Sequence, residues 1–157
     1  MALYESNGYN ETFPIAGFNF AVTVGGASSG HDSEFQEVSG LEVEMEVEEI
    51  AEGGVNTHKH RVPGRTKYRN LVLKRGLIKE SSELASWCSR TLQGDLNAPI
   101  ELRDIIVELR DEKQQAVMSW SFVKAYPIKW NVSNFNAEQN GIVTETLEFV
   151  FQSFRKN

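Results

Sequence analysis

The stretch SGLEVEMEVEEI, residues 39–50, decides the fold because apolar and acidic residues alternate along it. Positions 41, 43, 45 and 47 are apolar, and the positions that follow each of them are glutamates, namely Glu42, Glu44, Glu46 and Glu48. Successive side chains of a β-strand point to opposite faces. The pattern therefore predicts a strand with one apolar face and one face that carries a row of carboxylates.

The residues that follow predict that this strand is the first half of a β-hairpin. The Gly53-Gly54 pair can adopt the positive φ angles of a two-residue turn. In the register set by such a turn, Glu48 faces Lys59 and Glu46 faces Arg61. Opposite charges then meet across the two strands, which stabilises the hairpin. The acidic row is thus balanced in part by a basic partner strand, whereas Glu42 and Glu44 lack such partners in this register.

The remaining chain predicts a mainly β fold with one helix. A helix is expected at about 82–93, where Ser82 can cap its first turn and apolar residues recur at helical spacing. The extended hairpin covers about residues 41–63. Alternating apolar residues predict further strands near 18–24, 35–38, 68–73, 100–109, 118–122, 128–132 and 143–151. A change of phase at Arg103-Asp104 predicts a bulge, and Pro127 is expected to interrupt the strand that contains it. We predict a single domain over 1–157, an antiparallel β-sandwich or barrel with one flanking α-helix.

Composition excludes several classes of function. The 157 residues carry a formal net charge of −6, which disfavours specific or non-specific nucleic-acid binding. Cys88 is the one cysteine of the sequence, so no internal disulfide can form. No apolar run reaches the roughly 20 residues of a membrane span. A single cysteine fits a chain folded in a reducing compartment. No secretory signal is visible at the N-terminus.

Candidate catalytic and metal-binding residues are few. His58 and His60 have the spacing of a two-histidine metal site on a strand, but no third ligand is recognisable nearby. The loop GGASSG, residues 25–30, lacks the Lys-Ser/Thr ending of a phosphate loop. Cys88 lies on the apolar stripe of the predicted helix, which favours packing over reactivity. We therefore expect no catalytic residue, no cofactor and no metal.

Several segments in order resemble a known family. The most specific short motifs in these segments are the Gly40-Leu41 pair, the Pro63-Gly64 pair and Ala125-Tyr126-Pro127. The segments are FPIAGFNFAVTVGG (13–26), FQEVSGL (35–41), HRVPGRTKYRNLVLKRG (60–76), LRDEKQQAVMSWSFVKAYPIKW (109–130) and VTETLEFVFQSF (143–154). Together they resemble the tail tube proteins of contractile phage tails and phage-tail-like injection particles. Two places depart from the family pattern: Gln114-Gln115 lies where a glycine turn is common, and Tyr126 lies where tryptophan is common before the proline.

The resemblance implies a structural protomer that is not an enzyme. Six copies would form a ring, and rings would stack into a hollow inner tube that sheath contraction drives through a target envelope. The implied partners are the chain itself, the sheath protein, baseplate or tube-initiator and terminator proteins, and cargo in the lumen. The particle would be assembled in the bacterial cytoplasm, as part of a phage tail or of a released or anchored contractile particle.

Three groups of residues are the candidate functional sites. The hairpin tip is expected to contact the next ring or a neighbouring subunit, and it comprises Glu49, Ile50, Glu52, Gly53, Gly54, Val55, Asn56, Lys59 and Arg61. Glu42, Glu44, Glu46 and Glu48 are expected to face the lumen while the opposite side of their strand packs on the core. The other reading places this row on an outer face or between rings. Lys74 and Arg75 are candidates for a subunit boundary or a solvated strand end.

Two further interpretations remain open at the level of sequence. A baseplate-proximal tube initiator or a minor tube paralogue would have the same fold but would not repeat along the tube. A monomeric β-barrel binding module would use a surface groove for a ligand and would form no rings. The long alternating strands bear on this choice, because such strands either close into a barrel or leave edges that pair with other chains.

Overall fold

The computed structural model describes residues 19–25, 32–51, 53–54, 59–77, 82–138 and 141–157, with the backbone only at 32–34. It is mainly β with one helix, which confirms the predicted fold class. The strands are β1 (Asn19–Val24), β2 (Asp32–Ser39), β3 (Val43–Ile50), β4 (His60–Tyr68), β5 (Leu71–Gly76), β6 (Arg103–Arg110), β7 (Ala116–Val132), β8 (Thr144–Val150) and β9 (Ser153–Lys156). The helix α1 (Glu83–Gln93) lies between β5 and β6.

The main sheet closes on itself. Its strand order is β6-β1-β2-β5-β8-β7-β9, and β7 also pairs with β6. Closure is possible because β7 is 17 residues long. Its first part pairs with β6 up to Ala125, and its second part pairs with β8 from Tyr126 onward. The barrel therefore satisfies most of its own strand edges, and its long alternating strands do not require another chain.

The core lies inside this barrel and beneath α1. The side chains of Leu84, Trp87 and Cys88 on the helix are buried, as the helical stripe predicts. The Trp87 ring stacks on Phe149 with ring centroids 5.5 Å apart, and its Nε1 donates to the carbonyl oxygen of Glu101 at 3.1 Å. The helix thus covers one flank of the barrel through a tryptophan whose single polar atom has a partner.

A buried polar cluster fixes the N-terminus of α1 to the barrel. Arg75 and Glu145 are 1% and 3% exposed, and Arg75 Nε donates to Glu145 Oε2 at 2.9 Å. Arg75 Nη2 also donates to Ser82 Oγ at 2.8 Å, and that oxygen accepts from the backbone N–H of Ala85. Trp130 Nε1 donates to Glu145 Oε1 at 2.8 Å. Each buried charge is therefore paired and hydrogen-bonded, as burial requires.

Several predicted details of the strands differ from the structure. Pro127 does not interrupt its strand: β7 runs through it, with a register shift just beyond. The predicted bulge near Arg103 is confirmed by a register shift between Arg103 and Ile105. The predicted strand begins too early, since β6 starts at Arg103. Gln114 adopts φ 62°, in the left-handed region that favours glycine.

Candidate assembly surface

The hairpin formed by β3 and β4 is a separate two-stranded sheet that projects from the barrel. It continues the β2–β5 ladder, because the pairing of Ser39 with Val72 is followed in the same register by that of Val43 with Tyr68. The two ladders are separated at Gly40, which has φ +90° and approaches Asn70 so closely that a Cβ would overlap its carbonyl oxygen. Glycine is therefore required where the hairpin leaves the barrel.

The predicted hairpin register is wrong. Ile50 pairs with His60, and Glu49 pairs with Arg61, so Glu48 does not face Lys59. The turn is longer than two residues, although Gly54 has the expected positive φ, at 103°. The register is set where the hairpin joins the barrel, because β3–β4 continues the β2–β5 ladder.

The second strand of the hairpin is longer than predicted. Pro63-Gly64 does not end β4, which continues to Tyr68. The pairing shifts here, since Met45 is opposite Thr66 while Val47 is opposite Pro63. One extra residue on β4 produces a bulge at the Pro-Gly pair. The hairpin thus spans Val43–Tyr68, beyond the predicted limit at residue 63.

The added length supplies partners for the acidic row. Glu42 Oε2 lies 3.1 Å from Arg69 Nε, and Glu46 forms an ion pair with Lys67. Glu44 lies opposite the same lysine. A hydrogen bond and the charge of Glu46 raise the pKa of Lys67 above its ordinary value. The expectation that Glu42 and Glu44 lack basic partners is therefore wrong. The basic residues at alternate positions 67 and 69 were the sequence signal for these partners.

The apolar face of β3 is exposed. Val43, Met45 and Val47 are 56%, 56% and 57% exposed, and they share one face of the strand. The prediction that this side packs on the helix-covered core is therefore wrong for the chain by itself. The core contains Leu41 at its margin, just before the strand begins. None of the described residues forms a second layer over this apolar row, so it is a surface that another molecule can cover.

The tip of the hairpin is described only in part. Glu49 forms ion pairs with Lys59 at 3.1 Å and with Arg61 at 3.3 Å. Ile50 is 50% exposed, and Gly53 and Gly54 lie in a turn with open space around them. Glu52, Val55 and Asn56 lie outside the described residues. The contact predicted for this tip stays a prediction.

The two candidate residues for a subunit boundary have different surroundings. Lys74 Nζ lies 3.8 Å from Glu37, and its side chain is 43% exposed. Arg75 is buried with Glu145 and Ser82, so its guanidinium cannot reach a neighbouring subunit. The predicted contact at a subunit boundary is therefore wrong for Arg75, and it stays a prediction for Lys74.

The chemical alternatives gain no support from the described part of the chain. There, no group of three or more His, Cys, Asp or Glu side chains is placed to hold a metal ion. His58 and the loop at 26–31 lie outside the described residues. Among the described helices, none has the length and apolar character needed to cross a bilayer.

The sequence also matches the profile of a known protein family. A profile of the family described as T4-like virus tail tube protein gp19 matches residues 16–155. The chain therefore belongs to this tail tube protein family, which confirms the resemblance found in the sequence. No curated protein sequence matches the chain significantly.

Solved structures show the same fold. A chain of the anti-feeding prophage (AFP) baseplate has a TM-score of 0.77 at 24% identity, covering 94% of this chain and 97% of that one. A chain of the PVC sheath–tube complex, from an extracellular contractile injection system in its extended state, has a TM-score of 0.76 at 23% identity, covering 94% and 93%. A chain of the AFP tube-terminating cap has a TM-score of 0.75 at 20% identity, covering 99% of both. The chain thus has the tail tube fold of contractile injection systems.

Proposed function

We propose that this chain is a structural protomer of the inner tube of a contractile injection system or phage tail. Copies of the chain form six-membered rings, and the rings stack into a hollow tube that carries cargo and is propelled by sheath contraction. The partners are other copies of the chain, the sheath protein, and baseplate and terminator proteins. The role is mechanical and needs no catalytic residue or cofactor. The particle is assembled in the bacterial cytoplasm.

The observation that carries this proposal is the uncovered hairpin. A two-stranded hairpin by itself is marginally stable in water. Here it presents Val43, Met45 and Val47 to solvent on one face, each more than half exposed. The barrel closes on itself, so the hairpin is the part of the fold that we expect another copy to complete. Contact with copies of the chain would bury this face and order the hairpin.

We further propose that the carboxylate face of β3 lines the lumen, with Glu42, Glu44, Glu46 and Glu48 repeated around the ring. The ion pairs of Glu42 with Arg69 and of Glu46 with Lys67 reduce the negative charge of this wall. The lumen would then be wetted and weakly acidic, which disfavours adhesion of acidic cargo. Charge reversal at Glu42 and Glu44 should change cargo loading, and unchanged loading in intact tubes would contradict the lumen assignment.

The hairpin tip provides the test of assembly. Deletion of residues 50–55 removes the end of the hairpin and leaves the barrel intact. We expect a folded monomer, by circular dichroism and sedimentation, that no longer forms rings or tubes. The control is a deletion in the exposed β6–β7 turn at 112–113, which should assemble normally. Normal tubes from the hairpin deletion would refute this role for the tip.

The tube initiator remains a second candidate, because the same fold occurs in an AFP baseplate chain and in the AFP tube-terminating cap. A main tube protomer repeats along the tube, whereas an initiator or terminator is present as one ring. Quantitative mass spectrometry of purified particles separates the two. Many tens of copies per particle indicate the main tube, and about six copies indicate an end protein. A monomeric binding module would be absent from such particles.

A further inference from the structure

The charges of the hairpin are segregated by strand. Within Val43–Ile50, β3 carries four glutamates and no basic residue. Within His60–Tyr68, β4 carries two arginines and one lysine and no acidic residue. Both strands are edges, because among the described residues the hairpin sheet contains only these two strands. The projecting hairpin therefore has an acidic side and a basic side.

Ion pairs within the hairpin use only part of this charge. Glu46 is paired with Lys67, and Glu49 is paired with Arg61. Glu48 on β3 and Arg65 on β4 are both exposed, and neither forms an ion pair with another described residue. The Glu48 carboxylate on the acidic side and the Arg65 guanidinium on the basic side are thus available to another molecule.

Neighbouring hairpins that meet within a ring do so through opposite sides. In a closed ring generated by rotation, every copy has the same orientation, so the contact is heterologous. The β3 side of one hairpin then faces the β4 side of the next. We propose that this contact is charge-complementary, with the acidic β3 side of each copy bound to the basic β4 side of its neighbour. This inference rests on the ring proposed above and specifies what closes it.

Side chains rather than a continuous backbone ladder hold this contact. Pro63 has no N–H to donate, and the bulge beside it disrupts the edge of β4. Proline, bulges and charged side chains are features that keep an edge strand from indiscriminate pairing. In the proposed contact, electrostatic attraction rather than backbone pairing selects the neighbour, since a hairpin in the wrong orientation would bring like charges together.

Charge reversal at the two available residues tests the contact. Glu48→Lys and Arg65→Glu leave the ion pairs of the hairpin unchanged, so both variants should fold as the wild type does. In the Glu48→Lys variant, both residues at the contact are positively charged. In the Arg65→Glu variant, both are negatively charged. Each variant alone should need a protein concentration roughly 2- to 30-fold higher for half-maximal ring formation, measured by sedimentation velocity at low salt.

Mixing the two variants gives the decisive result. In an equimolar mixture, the lysine introduced on β3 of a Glu48→Lys chain would face the glutamate introduced on β4 of an Arg65→Glu chain. The wild-type glutamate and arginine would face each other at the alternate contacts, so a ring of alternating variants restores attraction throughout. An even number of copies allows this alternation to close. We expect rings to form in the mixture at concentrations where neither variant forms them alone. The double variant Glu48→Lys/Arg65→Glu should also recover ring formation.

A matched pair of variants controls for net charge. Glu112→Lys and Lys113→Glu make the same kinds of charge change at exposed positions of the β6–β7 turn. Each should form rings alone with the wild-type concentration dependence. If the wild type forms rings and the hairpin variants do so equally well, the charge contact is refuted while the proposed function stands. If the wild type forms no rings at any concentration, the proposed ring and this inference fail together.

Discussion

Removal of one partner from the buried pair of Arg75 and Glu145 should strongly destabilise the barrel. The Glu145→Leu change leaves a guanidinium that is 1% exposed without its carboxylate, whose oxygen lies 2.9 Å from Arg75 Nε. Breaking such a buried pair costs about 3–5 kcal/mol. This is a large part of the roughly 5–15 kcal/mol that stabilises a typical domain. The melting temperature should fall by about 6–20 °C for a chain of this length.

The assay is urea unfolding followed by tryptophan fluorescence, at a protein concentration low enough for the chain to be monomeric. Monomers are required because association with other copies would add to the apparent stability. Arg75→Met should cost a similar amount, since it leaves the Glu145 carboxylate buried and reduces its hydrogen bonding. The double variant Arg75→Met/Glu145→Leu should recover most of the loss, because no unpaired charge remains. Single losses below about 1 kcal/mol would refute the reasoning.

Three other changes test the packing, the base of the hairpin and the helix cap. Trp87→Ala should cost about 3–5 kcal/mol in urea unfolding, because it empties a fully buried site stacked on Phe149; a loss under about 1 kcal/mol would contradict that packing. Gly40→Ala should increase hydrogen exchange throughout β3 while the barrel stays protected, because the added Cβ would displace the Asn70 carbonyl. Unchanged exchange would contradict the claim that position 40 requires glycine. Ser82→Ala should cost about 1–2 kcal/mol, because one oxygen both caps α1 and accepts from Arg75; an unchanged unfolding midpoint would argue against the cap.

Local patterns in the sequence predicted the elements that depend on local structure. The alternation over 43–48 predicted β3, and Ser82 with the apolar stripe predicted the helix, which the structure places at Glu83–Gln93. The phase change at Arg103 predicted a bulge that the structure contains. Each of these signals lies within about ten residues, where side-chain spacing alone determines which face is buried.

Features that depend on distant contacts were not predictable in the same way. The hairpin register was wrong because a Gly-Gly pair suggests a tight turn, whereas the β2–β5 ladder fixes the register from the other end. Closure of the barrel depends on β7 changing partners near Ala125, which no local pattern reveals. The sequence suggested a subunit boundary for Arg75, but its guanidinium is paired inside the barrel with the carboxylate of Glu145, 70 residues away.

The central claim is that copies of this chain complete one another into rings, and negative-stain electron microscopy of the purified chain tests it most directly. We predict annular particles with six-fold symmetry, or filaments built from them, at high protein concentration. The same sample should sediment at about six times the 17.7 kDa protomer mass or more. A chain that remains a single particle at every concentration, and is absent from purified contractile particles, would contradict the claim.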